Sequence, residues 1–155
     1  MGEGAGATDR HLGAATLATW LGPGARTRAT RLAYLADWRS AIETGAQLSD
    51  IRWTATPGGP TPADPATAAV LAALRGRWGR LPRPGRRRPD RGARATLRFV
   101  RRGASRMGDT ELGRLVASTY PMLGGGEYPP RPLDLGILAA RYREVRHLLL
   151  ARTPG

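Results

Sequence analysis

The stretch ATRLAYLADWRSAIETG, residues 29–45, carries the clearest helical signal in the chain. Tyr34 and Trp38 lie four residues apart, one helical turn, among leucine, isoleucine and alanine side chains. Thr27 suits an N-cap because its hydroxyl can accept from a free amide of the first turn, and Gly45 stands where a terminating glycine belongs. We therefore predict a helix over 27–44 that is apolar on both flanks of Trp38, with the Trp38 indole in the core.

Caps, turns and apolar spacing predict the other elements. Ile51 and Trp53 alternate with Arg52, which is typical of a short strand or hairpin, here ending in a Gly58-Gly59-Pro60 turn. Further helices are predicted near 9–21, 65–78, 109–120 and 133–151. Asp64 suits the cap of the 65–78 helix, with Pro65 at the first helical position. The expected fold is mainly α, with about five helices and a small β-hairpin or short strand element, in a single domain.

Composition limits the classes of protein that this chain can be. All 25 basic residues are arginine, no asparagine is present, and the formal net charge is +13, a usage typical of a G+C-rich genome. The lack of cysteine excludes disulfides, thiolate catalysis and cysteine-ligated zinc. No apolar run approaches the roughly 18 residues of a membrane span, and the first residues lack a secretory pattern. We expect a cytoplasmic protein without membrane contact.

Positive charge is concentrated in one segment. Residues 75–106 hold 13 arginines and one acid, Asp90, and so supply twelve of the thirteen net charges. The run LPRPGRRRPDRG has three prolines, which predicts an Arg/Pro-rich linker at about 79–94, followed by a short strand over 95–100. Arginine clusters attract phosphates. The candidate polyanion-binding residues are Arg83, Arg86, Arg87, Arg88, Arg91 and Arg94, and the alternative is a solvated linker that reflects codon bias.

Catalytic patterns are missing from the sequence. The two histidines, His11 and His147, lie near opposite ends, and no Gly-x-Ser-x-Gly elbow is present. The three glycines at 124–126 precede Glu127 and Tyr128 rather than the lysine of a phosphate-binding loop. We therefore expect no enzymatic activity, no metal and no cofactor.

The predicted 27–44 helix and the hairpin resemble the SocA-like antitoxin domain family, also called Panacea. The matching residues are Leu32, Tyr34, Leu35, Ala36, Asp37 and Trp38, then Thr44-Gly45, Ile51-Arg52-Trp53 and Gly59-Pro60. A second match covers residues 115–123, 133–135 and 139–142. The chain departs from the family pattern at 55–58, where an aromatic run is replaced, and in the Arg/Pro-rich middle, where a further helix is usual.

Residues 1–9 are Gly-rich and small, which predicts disorder, and the resemblance implies a shortened SocA-like domain over 10–152. Such domains are non-enzymatic and mainly helical, and they bind a partner toxin or act as an adaptor. The partner-binding residues that we predict are Tyr34, Trp38, Trp53, Gly59, Pro60 and Tyr120, although Tyr34 and Trp38 also fit a core. Two functions thus remain open: an antitoxin-like protein-binding module, and an arginine-driven protein that binds nucleic acid or other polyanions.

Overall fold

Helix α2, Arg26–Thr44, is the element against which most of the others pack. The computed structural model of the protein describes residues 11–22, 26–73, 88–123 and 130–151. The remaining helices in these ranges are α1 (Ala14–Leu21), α3 (Pro65–Ala73), α4 (Arg91–Ala104), α5 (Asp109–Ala117) and α6 (Leu135–Ala151). Three strands, β1 (Trp53–Thr56), β2 (Gly59–Pro62) and β3 (Arg131–Leu133), complete the described fold. The mainly α class with a small sheet is confirmed.

Small side chains let α2 occupy the centre of the fold. Ala33, Ala36 and Ala41 are fully buried, which allows neighbouring helices to approach the α2 backbone closely. The helix ends as predicted, because Gly45 has a φ of +84° and its amide donates to the Ala41 carbonyl at 2.9 Å. The start differs by one residue: Thr27 lies within the first helical turn and is not the cap.

A buried carboxylate joins α2 to the segment that leads into the sheet. Asp37 is fully buried. Its Oδ1 accepts from the Ser49 amide at 2.8 Å, and its Oδ2 accepts from the Ser49 hydroxyl at 2.5 Å and from the Trp53 indole N–H at 2.8 Å. The Ser49 hydroxyl oxygen in turn accepts from the Ile51 amide at 3.1 Å. Three donors thus converge on one carboxylate, as burial of such a group requires.

The sheet has the strand order β2-β1-β3 and is antiparallel throughout. The predicted hairpin is confirmed, but its turn lies at residues 57–58 and not at Gly58-Gly59-Pro60. Gly59, at a φ of +113°, and Pro60 belong to β2, where they pair with Thr56 and Ala55. Trp53 faces Pro62 on one side and Leu133 on the other. Strand β3 is not predicted from the sequence, because three residues that include a proline carry no alternation signal and Pro132 has no amide to donate.

Most predicted helices are confirmed within a few residues. Asp64 caps α3 as expected, accepting from the Ala66 and Thr67 amides. The helix predicted at 109–120 ends at Ala117, and a short 3-10 turn, Tyr120–Met122, follows it. The predicted 133–151 helix begins at Leu135, because β3 takes the residues before it. The predictions for residues 1–9 and 74–78 lie outside the described residues.

The region after residue 90 differs most from the prediction. The strand over 95–100 and the last part of the 79–94 linker are wrong, since residues 91–104 form helix α4. Asp90 caps this helix by accepting from the Ala93 amide at 2.8 Å. The reason is local: arginine and alanine are good helix formers, and the last proline of the region, Pro89, precedes the cap. The remaining linker residues, 79–87, lie outside the described part of the chain.

Trp38 offers a direct test of the core. Its side chain is only 6% exposed and meets Tyr142 of α6 edge-on, with ring centroids 5.7 Å apart. We expect Trp38→Ala to lower the free energy of unfolding by about 3–5 kcal/mol, the usual cost of truncating a core aromatic. Phe99→Ala is the matched control, because Phe99 is 57% exposed. Denaturant unfolding of both variants measures this, and equal midpoints would contradict the assignment.

Asp37 predicts a pH dependence. Burial raises the pKa of its carboxyl to about 6, although the hydrogen bonds from Ser49 and Trp53 oppose the shift. The folded protein then binds a proton that the unfolded chain, with a carboxyl pKa near 3.8, does not bind. The contribution of Asp37 to the free energy of unfolding is therefore largest below about pH 4 and is lost as the pH rises through about 6.

The Trp53 indole N–H resonance reports this titration locally, since the proton donates to Asp37. We expect its chemical shift to move with a midpoint near pH 6. Asp37→Asn should remove the transition, provided that the variant folds. A midpoint near pH 4 in the wild type would show that burial does not perturb this carboxyl.

Candidate nucleic-acid interface

Helix α4 has two chemically opposite sides. Its buried side consists of Ala93, Thr96, Leu97, Val100 and Ala104, which recur at helical spacing. This side packs against α1 and α2. Because the apolar residues fix the orientation of the helix, the residues between them are directed outward.

The outward side of α4 is covered by arginine. We call this surface the arginine face, and it consists of Arg91, Arg94, Arg98, Arg101 and Arg102, all exposed. Four of them follow a spacing of three, four and four residues, which aligns them along one side of the helix over about 16 Å. Arg101 lies at the edge of the arginine face that is nearest to α1. Its guanidinium is 3.4 Å from the point that a Cβ would occupy at Gly22, the residue directly after α1.

The arginine face is not neutralised by neighbouring acids. Within the described residues the ion pairs are Arg28–Asp109 and Arg39–Glu43, and neither involves this face. The nearest acid in sequence, Asp90, is engaged in capping its own helix. Asp90 keeps its negative charge while it caps the helix, so the five arginines exceed the acid by four charges and produce a local positive potential.

An aromatic ring lies beside the arginine face. Phe99, the one phenylalanine of the chain, is 57% exposed, whereas phenylalanine is usually buried. The Arg39 guanidinium of α2 covers the ring at 3.5 Å from its centroid, and Arg39 also pairs with Glu43 at 2.7 Å. This cation–π contact holds the ring in place at the surface.

Other arginines serve the fold instead. Arg28 donates to the Ala104 carbonyl, at the last residue of α4, at 2.6 Å and to the Met107 carbonyl, in the loop after α4, at 3.0 Å. Arg143 donates to the Ile42 carbonyl near the end of α2 at 2.9 Å. These side chains bind carbonyls of other elements, whereas the arginine face makes one internal hydrogen bond among the described residues, from Arg94 to the Asp90 carbonyl of its own helix cap at 3.4 Å.

The predicted polyanion residues are divided among several settings. Arg91 and Arg94 belong to the arginine face, and Arg88 is exposed just before the helix. Arg83, Arg86 and Arg87 lie outside the described residues. Four residues of this surface are not among the predicted ones: Arg98, Arg101, Arg102 and Phe99. The signal that could have found them was the Asp90 cap followed by apolar residues at three- and four-residue steps.

The predicted partner-binding residues do not form a common surface. Trp53, Tyr34 and Trp38 are 1%, 0% and 6% exposed, and Pro60 is buried. Tyr34 packs edge-on against Trp53, and its hydroxyl hydrogen-bonds that of Thr119 at 2.7 Å, while burial raises the pKa of the phenol. The remaining two, Gly59 and Tyr120, are half-buried.

A second exposed feature lies on α6. We call it the apolar strip, and it consists of Ile137, Val145 and Leu148, which are 55%, 41% and 64% exposed. Their spacing of eight and three residues places them on one side of the helix. The buried contacts of α6 come from its first half, through Leu135 and Ala139.

Two further observations concern other kinds of site. Among the described residues, no group of three or more acidic or histidine side chains is placed to hold a metal ion. In the same ranges no helix is both long and apolar enough to cross a membrane.

The chain matches no model of a known protein family, no curated protein and no solved structure. The resemblance to the SocA-like domain stays a prediction. The residues on which it rests, such as Asp37 and Trp53, hold the fold together through buried contacts. The fold and its exposed features therefore describe a mainly α protein with a basic, aromatic-flanked helix on its surface.

Proposed function

We propose that this protein binds nucleic acid through the backbone phosphates, using the arginine face of α4. The single observation that carries the proposal is the set of five exposed arginines on one helix, without a pairing carboxylate among the described residues. Its role is binding and not catalysis.

Arginine suits this role chemically. Its planar guanidinium can donate two parallel hydrogen bonds to one phosphate, and it keeps its charge at any physiological pH. Each phosphate contact also releases a condensed counterion, which favours binding at low salt. The backbone contacts carry no sequence information, so the expected binding is sequence-independent.

The helical scaffold adds to the effect of charge alone. In a linker, five arginines would each lose conformational freedom separately when they bind. On α4 the backbone is already ordered by the Asp90 cap and by the packing of Leu97 and Val100. The guanidinium groups therefore begin close to their bound positions, with only side-chain freedom left to lose.

A matched pair of triple variants tests the proposal. We expect Arg94→Gln, Arg98→Gln and Arg102→Gln together to weaken binding to a labelled DNA oligonucleotide and to reduce the slope of log K against log salt by about 2–3. The control, Arg114→Gln, Arg141→Gln and Arg146→Gln, removes the same charge from other exposed positions. Fluorescence anisotropy over a salt series gives both quantities.

The control decides the interpretation. If both triple variants lose affinity equally, only the net charge matters and the arginine face is not the binding surface. If the α4 variant binds like the wild type, the proposal fails. Circular dichroism checks that each variant retains its helices.

A second candidate function is the protein-binding role that the resemblance implies. The observation that favours it is the apolar strip on α6, because exposed apolar side chains grouped on one helix face suit a partner with an apolar groove. We propose that a toxin-like partner would contact α6 there, and not through the buried aromatic residues of α2.

The apolar strip can be tested apart from α4. We expect Val145→Ser with Leu148→Ser to abolish capture of one specific partner from a lysate of the native host, identified by mass spectrometry. The α4 triple variant should retain that partner. Because both serines would replace exposed residues, thermal unfolding should change little. A partner that is captured equally by the serine variant would exclude the apolar strip as its contact.

A further inference from the structure

We infer that the arginine face takes a single strand of nucleic acid and that Phe99 stacks on an unpaired base of that strand. This inference rests on the proposed function and adds the class of nucleic acid to it. The observation behind it is the position of an exposed, ordered aromatic ring directly beside a row of arginines.

The surroundings of Phe99 leave room for a planar base. Three small, exposed residues lie on the same side of the helix as Phe99: Gly92, Ala95 and Gly103, which are seven residues before, four before and four after it. A Cβ placed on Gly103 would meet nothing within 4 Å. The Phe99 ring is therefore bordered by small residues on its own side of the helix, and the arginine face adjoins that side.

The contact with Arg39 prepares one face of the ring. The guanidinium lies 3.5 Å from the ring centroid and covers that face. The residue is nevertheless 57% exposed, which leaves ring surface that Arg39 does not cover available to a base. A base that stacks on this surface would complete a layered arrangement of guanidinium, phenyl ring and base, and the ring would not need to be ordered on binding.

A single strand fits this combination better than a duplex. In a duplex the faces of the bases are covered by their neighbours, so a ring on the protein surface gains no stacking partner. In a single strand each base has an open π-face, and stacking on aromatic side chains is tolerant of sequence. The arginine face would contact the phosphates while Phe99 receives a base beside them.

Substitutions at position 99 separate stacking from simple apolar contact. The experiment measures binding to oligo(dT) of 20 nucleotides and to a blunt duplex of equal length for four proteins: the wild type, Phe99→Ala, Phe99→Leu and Phe99→Trp. We expect the wild type to prefer the single strand. Phe99→Ala should lose about 5- to 150-fold in affinity for the single strand, with duplex binding and salt slope unchanged.

The leucine and tryptophan variants decide between the two roles of the ring. Stacking predicts that Phe99→Trp binds oligo(dT) at least as well as the wild type and that Phe99→Leu binds nearly as weakly as Phe99→Ala. If Phe99→Leu retains full affinity, the ring acts only as apolar bulk and the inference is overturned. Because the readout is the order of the variants, a small change in stability does not obscure it.

Failure of this inference is distinguishable from failure of the proposed function. A wild type that binds the duplex as tightly as oligo(dT), or position-99 variants that weaken both ligands alike, would overturn the single-strand inference and leave the phosphate contact standing. The proposed function itself would fail if the wild type showed no salt-dependent binding to either ligand. It would also fail if the α4 triple variant bound both ligands as tightly as the wild type.

Discussion

The buried carboxylate of Asp37 is the constraint on which the rest of the fold depends. Burying a carboxylate is costly unless donors satisfy it, and here the Ser49 amide, the Ser49 hydroxyl and the Trp53 indole do so. These bonds tie the middle of α2 to the start of β1. They hold Trp53 of β1 against Tyr34 of α2, which packs edge-on on its ring, and so position the sheet against the central helix. The raised pKa of Asp37 records the residual cost of this arrangement.

The candidate interface is a consequence of the same core. Helix α4 buries Leu97 completely and most of Val100 against α1 and α2, which leaves it one orientation. The arginines occupy the helical positions that this packing does not use, and so they come together on the outside. Phe99 stands at the boundary between the two sides, where Arg39 of α2 reaches across to it. The surface proposed to bind phosphates thus needs no additional element beyond a helix whose other side is apolar.

Arginine has two separate roles in this protein. Arg28 and Arg143 satisfy backbone carbonyls near the ends of helices, and their charge is incidental to that task. In the arginine face, Arg94 makes one long hydrogen bond to the Asp90 carbonyl at 3.4 Å, and all five side chains remain exposed to solvent. Net charge and codon usage do not distinguish among the 25 arginines of the sequence, whereas the guanidinium positions of the described ones do. For that reason the functional proposal rests on α4 and not on the overall charge.

The sequence by itself determined the elements whose signals are local: the length of α2 with its terminal Gly45, the presence of a hairpin, although not the position of its turn, and the cap of α3 at Asp64. It also pointed to Arg91 and Arg94, although as part of a linker. Only the tertiary structure decided what depends on distant contacts. Asp37 is a hub because Ser49 and Trp53 fold back onto it, β3 is a strand because Trp53 lies opposite Leu133, and the arginines form one face because α1 and α2 bury the other. Capping and turn formation involve neighbours in the chain, whereas burial and strand pairing require partners that the chain brings together only on folding.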